Sequence, residues 1–119
     1  MELRTGGMLA TVTRASSHYT LCLSGDMDLD DARFLRREGC VLVSAGPPRM
    51  LADLGGMRYF GCSGLNALLA IRRSAQDNGG CLYVTAMSAT VERVLDLTGT
   101  AKIVADREQV LDCWPDAPI

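Results

Sequence analysis

The stretch RMLADLGGMRYFGCSGLNALLAIRR, residues 49–73, decides how the rest of the chain is interpreted. It opens with an apolar run from Met50 to Leu54, which predicts a short strand. The glycine-containing segment 55–58 predicts a turn, and apolar residues at helical spacing after Ser63 predict a helix. A strand, a glycine-rich turn and a helix start together aim backbone N–H groups at the turn. Ser63 stands at that predicted helix start, so we take this stretch as the candidate functional centre.

Two segments before this stretch alternate apolar and polar side chains, as half-buried strands do. They are Met8–Arg14 and residues 19–24, and the short polar turn between them predicts an antiparallel hairpin. Residues 1–7 are expected to be a loose lead. A helix is predicted from about residue 29 to residue 44, with Asp28 as its N-cap and a break allowed at Gly39.

Strands and helices alternate through the rest of the chain. The predicted elements are a helix at 63–78, a strand at 81–85, a helix at 89–97 capped by Ser88, a strand at 102–104 and a helix at 107–113 with Asp106 as its cap. Strands that alternate with helices pair in parallel. The prediction is an α/β fold: a mixed β-sheet with an antiparallel first hairpin and then parallel strands, about four helices, and the order β-β-α-β-α-β-α-β-α.

Length and composition indicate an ordinary globular protein. The 119 residues suit a single domain over 1–119 with a core at about 8–112, and residues 114–119 are expected to be a flexible tail. The net charge of −2 gives no basic surface for nucleic acid. No apolar run is long enough for a membrane span, and no secretion signal is evident. Five dispersed cysteines are read as reduced thiols, and a cytoplasmic location is expected.

Motifs for catalysis or for metal and cofactor binding are missing from the sequence. The only histidine, His18, falls in the predicted hairpin turn and is expected to be solvated. The segment around Ser63 lacks the last glycine of the Gly-x-Ser-x-Gly motif of hydrolases. The acidic run that begins at Asp26 is not a calcium loop, because its twelfth position holds Arg37 instead of glutamate. We therefore predict neither an enzyme nor a bound metal or cofactor.

Residues 53–69 resemble the STAS domain family. Bacterial anti-sigma factor antagonists of that family read D-L-S-G-V-x-F-I-D-S-S-G-L-x-x-L-L, and this chain reads DLGGMRYFGCSGLNALL in the same register. Gly61 replaces the family's aspartate, Cys62 replaces the first serine, and Ser63 retains the second serine. Residues 23–29, 82–84 and 91–99 also resemble family segments, so that the resemblance covers about residues 8–112.

The resemblance implies an anti-sigma factor antagonist that binds an anti-sigma factor of the GHKL serine-kinase type and thereby releases a sigma factor. In the family, the serine that corresponds to Ser63 is phosphorylated, which ends the binding, and a serine phosphatase resets the protein. The implied partner-binding residues are Asp26, Asp28, Gly61, Cys62, Ser63, Gly64 and Leu65. No nucleic acid or membrane is expected as a partner, and a homodimer is allowed.

Three alternatives remain open at this point. The first is a STAS module that is not phosphorylated and binds its partner constitutively or dimerises. The second is a small ligand or nucleotide that binds at the same helix start, where backbone donors would receive it. The third concerns Cys62 alone, which is either a redox-sensing thiol or, as we favour, a substitute for serine that is buried behind the turn.

Overall fold

The computed structural model describes residues 1–119, and its framework is a five-stranded sheet. The strands are β1 (Glu2–Arg4), β2 (Met8–Arg14), β3 (Tyr19–Asp26), β4 (Arg49–Tyr59) and β5 (Cys81–Met87), and they lie side by side in that order. The first three strands pair antiparallel, whereas β3, β4 and β5 are parallel. The predicted α/β class with a mixed sheet is confirmed.

Two of the five helices connect the parallel strands. The helices are α1 (Leu29–Ala45), α2 (Cys62–Asp77), α3 (Ala89–Thr98), α4 (Ala101–Val104) and α5 (Arg107–Cys113). Helices α1 and α2 are the two crossover connections, and their buried faces join the inward side chains of the sheet in one core of 24 residues. Helices α3 and α4 also contribute buried side chains to this main core. None of the five helices has the length and apolar character that crossing a membrane requires.

Gly39 does not break α1, because its missing side chain is what lets the two crossover helices approach each other. The helix continues to Ala45, and a Cβ at position 39 would collide with the Ile71 side chain of α2. Ile71 itself is completely buried. The glycine therefore costs helix propensity but permits close packing between the helices.

The predicted turn at residues 55–58 is wrong, since β4 continues through both glycines to Tyr59. The pairing of β3 with β4 shifts register between Cys22 and Ser24 and again after Gly25, as at a β-bulge. A Cβ on Gly56 would lie 2.8 Å from the Cβ of Ser24. Gly56 therefore permits a close approach of β4 to β3, and in the sequence this use of glycine resembles a turn signal.

Two ends of the chain differ from the predicted elements. Residues 2–4 of the expected loose lead form β1, which pairs with β2 at the sheet edge. The predicted strand at 102–104 is instead α4, in which the carbonyl of Thr100 accepts hydrogen bonds from the N–H groups of Ile103 and Val104 at 2.9 and 3.1 Å. Local β-propensity is overridden there because a helical turn buries Val104 in the main core.

The second face of the sheet carries a smaller core built by the C-terminal segment. Leu51 and Cys81 point away from the crossover helices, and Val110 and Trp114 pack on them. Trp114 is only 6% exposed although it follows the last helix. The flexible tail therefore stays a prediction for the residues beyond Trp114, while Trp114 itself is part of a packed cluster.

Candidate functional site

The candidate site lies at the edge of the sheet where the parallel strands end. Each parallel strand is followed there by the start of a helix: Asp28 precedes α1, Gly61 precedes α2 and Ser88 precedes α3. In open α/β sheets, ligands and partners are received at this carboxyl edge. The topology thus gathers Asp26, Asp28 and the segment 61–65 at one edge of the molecule.

Ser63 is the second residue of α2 and is partly exposed. Only Phe60 and Gly61 separate the end of β4 from the start of this helix. Gly61 is the N-cap with an extended backbone (φ −109°), and it offers no side chain to the helix. The first turn of α2 therefore keeps backbone N–H groups that no side chain caps.

The start of α2 also differs from the starts of α1, α3 and α5 in its charge, as the start of the short helix α4 does too. Helices α1, α3 and α5 have side-chain caps and carry an acidic residue in the first turn, whereas α2 has neither. Because a helix N-terminus is electropositive, the hydroxyl of Ser63 stands where added negative charge is tolerated. Gly61 at the N-cap also supplies no acid, whereas the motif of the resembled family has an aspartate at this position.

Gly64 and Leu65 support the site from beneath its surface. Leu65 is 5% exposed and belongs to the main core, and its N–H donates a hydrogen bond of 3.1 Å to the carbonyl of Gly61. A Cβ on Gly64 would lie 2.7 Å from Cε1 of Phe60 and 3.0 Å from Sδ of Met27. Both residues therefore position the helix start, and their side-chain positions face inward instead of toward a partner.

Cys62 is exposed, so the expectation that it is buried behind the turn is wrong. It is the first residue of α2, and the side chain at that position points away from the core because the inward positions of this turn are Gly64 and Leu65. Its thiol is thus available to a partner surface.

The two predicted aspartates occupy the same edge but have different roles. The N–H of Met27 donates to the carbonyl of Tyr59 at 3.1 Å, which ties the Asp26–Asp28 segment to the end of β4. Asp28 caps α1: its Oδ1 accepts from the N–H of Asp31 at 2.8 Å, and its own N–H donates to Oδ2 of Asp31 at 3.1 Å. This reciprocal box confirms the predicted N-cap.

Asp26 is paired with a residue that sequence reasoning did not select. Its Oδ2 lies 3.3 Å from Nη2 of Arg58, and the two side chains are 51% and 75% exposed. An ion pair so exposed contributes about 0–1 kcal/mol. Together with Tyr59, which is 60% exposed, Arg58 therefore adds polar and aromatic surface beside the predicted site.

Two further basic residues border Ser63 and were also missed by the sequence analysis. A groove of about 150 Å³ between α1 and α2 is lined by Leu29, Ala32, Arg33, Arg36, Ser63, Asn66 and Ala67. Positions 29, 33 and 36 are spaced by four and three residues and so share one face of α1. This shared face was the only indication of the groove in the sequence. The sequence alone could not show that this face of α1 lies against the start of α2.

Comparison with known proteins gives one family and several structural relatives. A family model described as "Mlab, STAS domain" matches residues 10–105. The crystal structure of an anti-sigma factor antagonist from Mycobacterium paratuberculosis is similar, with a TM-score of 0.70 at 22% identity over 96% of this chain and 100% of that chain. No match was found among curated proteins.

Two structures of SpoIIAA are similar as well. The anti-sigma factor antagonist SpoIIAA in its unphosphorylated form has a TM-score of 0.74 at 16% identity, over 92% of this chain and 99% of that chain. The Bacillus cell fate determinant SpoIIAA in the phosphorylated form has a TM-score of 0.67 at 16% identity, over 87% of this chain and 96% of that chain. At these identities the likeness shows a common fold.

Proposed function

The chain belongs to the STAS domain family, and on this premise we propose that it is an anti-sigma factor antagonist that works by partner switching. With Ser63 unmodified, it binds an anti-sigma factor and so releases the sigma factor. Phosphorylation of Ser63 ends that binding. The observation that carries the proposal is the accessible Ser63 in the uncapped first turn of α2, in register with the family's phosphorylated serine.

The position of Ser63 suits a switch that leaves the fold intact. A phosphate adds roughly −1.5 to −2 charges and three acceptor oxygens, and the uncapped N–H groups of the first turn are donors for them. Ser63 is not part of the buried core. The modification therefore changes the charge and shape of the contact surface, which is where a partner is repelled or displaced.

The partner that fits this chemistry is an anti-sigma factor of the GHKL serine-kinase type. Its ATP supplies the phosphoryl group: the bond to the γ-phosphorus breaks on the ADP side, a bond to Oγ of Ser63 forms, and the hydroxyl proton is released. A serine phosphatase restores the hydroxyl by hydrolysis. The contact surface comprises Ser63, Cys62, Gly61 and the exposed Asp26 and Asp28, with Gly64 and Leu65 beneath it.

The protein itself acts as substrate and binding module, not as an enzyme. Its single histidine, His18, precedes β3 and so lies at the opposite edge of the parallel strands from Ser63. The His18 ring stands 5.1 Å from the ring of Trp114, in the smaller core. No imidazole is therefore near the Ser63 hydroxyl to activate it as a nucleophile.

The decisive experiment is intact-mass spectrometry after incubation with ATP and a GHKL-type anti-sigma kinase from the same genome. We expect a gain of one phosphate that disappears in Ser63→Ala. In a binding assay with the same kinase, Ser63→Ala retains affinity, whereas Ser63→Asp and Ser63→Glu weaken it at least tenfold, or about 1.4 kcal/mol. Equal affinity of all three variants would contradict the proposal that negative charge at position 63 ends the binding.

A second candidate function is a STAS module that binds constitutively or dimerises, and Gly61 is the observation that favours it. The missing acid removes a group that a kinase could recognise. A Cβ on Gly61 would approach the Tyr59 hydroxyl oxygen no closer than 3.4 Å, so Gly61→Asp fits the structure. Phosphorylation that appears only in Gly61→Asp, with binding of the unmodified wild type intact, would establish the constitutive binder.

A further inference from the structure

The arginines beside Ser63 have no partner in the folded chain. The side chains of Arg33 and Arg36 are exposed and take part in no ion pair and no hydrogen bond, whereas Arg37 pairs with Glu38 at 3.9 Å and Arg58 with Asp26 at 3.3 Å. Two unpaired guanidinium groups on one groove wall repel each other weakly, and an anion placed between them relieves this. The positive charge on this wall of the groove is therefore not neutralised within the folded chain.

The opposite wall of the groove contains the hydroxyl that the proposed kinase modifies. Ser63 and Asn66 line it from α2, while Leu29, Ala32 and Ala67 supply an apolar floor. The nearby acids do not pair with these arginines: Asp28 and Asp31 form the cap of α1, and Asp30 takes part in no ion pair. The first turn of α2 has no acidic residue. Arg36 also lines a second groove together with Arg73 and Asp77, but it forms no ion pair with the Asp77 carboxylate.

We propose that Arg33 and Arg36 bind the phosphate of phosphorylated Ser63, and so act as an internal phosphate clamp. Guanidinium groups bind phosphate oxygens with paired, charge-assisted hydrogen bonds that lysine cannot reproduce. The clamp rests on the proposed function for its biological role. It adds a mechanism, since the phosphate withdraws two positive side chains from the contact surface and thereby removes the counter-charges for acidic groups of a partner.

The clamp also accounts for a switch that works without the family's aspartate. In this chain, no acidic side chain in the first turn of α2 competes with the phosphate for donors. The positive charge that holds the phosphate comes from Arg33 and Arg36 on the facing helix α1.

The test measures the phosphate directly and needs no kinase. Phosphoserine is installed at position 63 during translation, and the second pKa of the phosphate, ordinarily about 6, is followed by phosphorus NMR. Arg33 and Arg36 stabilise the dianion, so we expect a lower pKa in the wild-type background than in the Arg33→Gln/Arg36→Gln double variant. The expected difference is at least half a pH unit, and it shrinks at high salt.

Arg37→Gln is the matched control, because Arg37 is an exposed arginine on the same helix that does not line the groove. It should leave the phosphate pKa unchanged. All three arginines are exposed, so the variants are expected to fold, which circular dichroism verifies. Equal phosphate pKa values in the wild type and the double variant would overturn the clamp. A failure of kinase phosphorylation would overturn only the proposed function.

Discussion

At the scale of single residues, the two glycines beside Ser63 have opposite structural roles. Gly64 faces inward, where a Cβ would lie 2.7 Å from Cε1 of Phe60. Gly61 faces outward, where the nearest atom to a Cβ is the Tyr59 hydroxyl oxygen at 3.4 Å. A Cβ therefore fits at position 61 but is too close to its neighbours at position 64. The same substitution should have different effects at the two positions.

We expect Gly64→Ala to lower the free energy of unfolding by about 1–3 kcal/mol, because the added methyl group overpacks the contact with Phe60 and Met27. Urea denaturation measures this. Gly61→Ala is the matched control and should change stability by less than about 0.5 kcal/mol. An unchanged Gly64→Ala midpoint would mean that α2 can move away from β4 at no cost.

The buried thiol of Cys81 makes stability depend on alkaline pH. Burial, and then the neighbouring Cys113, raise the pKa of Cys81 to about 12, while Arg49 opposes the shift. An unfolded thiol titrates near 8.5. The folded state thus retains a proton that the unfolded state loses, so its stabilising effect is complete below about pH 8.5 and is lost as the pH rises toward 12.

The expected result is a steeper loss of stability for the wild type than for Cys81→Ala between about pH 8.5 and 11, measured by urea denaturation at several pH values. Cys22→Ala, at an exposed position, should keep the wild-type slope. Parallel slopes for the wild type and Cys81→Ala would show that the Cys81 thiol titrates normally in the folded state.

At the scale of elements, the start of α1 combines a structural cap with a predicted contact residue. The carboxylate of Asp28 accepts a hydrogen bond from the N–H of Asp31, and the carboxylate of the buried Asp31 accepts one from the N–H of Asp28. An effect of Asp28 substitutions on partner binding could therefore come from a disturbed helix start or from a lost charge. The two causes are separable because asparagine caps a helix nearly as well as aspartate.

We expect Asp28→Ala to destabilise the protein by about 1–2 kcal/mol, whereas Asp28→Asn stays within about 0.5 kcal/mol of the wild type. Thermal unfolding followed by circular dichroism provides the measurement. Asp30→Ala is the control, since Asp30 is an exposed acid in the same turn outside the box. If Asp28→Asn weakens binding to the proposed anti-sigma factor partner while its stability is unchanged, the charge itself contacts the partner.

At the scale of the whole molecule, the C-terminal segment closes the face of the sheet that the crossover helices leave open. Trp114 packs with Leu51, Cys81 and Val110, its ring lies near His18, and the guanidinium carbon of Arg49 is 5.8 Å from its centre. The site at the strand ends and this cluster lie on different parts of the sheet. Changes in the cluster should therefore alter stability without altering the chemistry at Ser63.

Trp114→Ala should lower the free energy of unfolding by about 3 kcal/mol, because it removes the largest side chain of the smaller core. Urea denaturation tests this, with Asp116→Ala, at an exposed position, as the control that should remain near the wild type. If Trp114→Ala behaves like Asp116→Ala, the whole tail from Trp114 onward is as flexible as the sequence suggests.

Local sequence patterns determined most of the elements. The alternation in β2 and β3, the capping residues Asp28, Ser88 and Asp106, and the glycine stop after α2 each act within a few residues, and each is present in the structure. The position of Ser63 in the first turn of α2 followed from the same kind of signal together with the family motif.

Tertiary packing decided the rest, because the reasons lie far away along the chain. Gly56 lies within β4 because it packs closely against Ser24, and Gly39 lies within α1 because it packs closely against Ile71. Val104 is helical because this conformation buries it in the main core. The placement of Arg33 and Arg36 beside Ser63 likewise depends on how distant elements meet. Local periodicity shows which residues share one face of an element, but it does not show which faces pack together. Such contacts therefore become visible only in the folded chain.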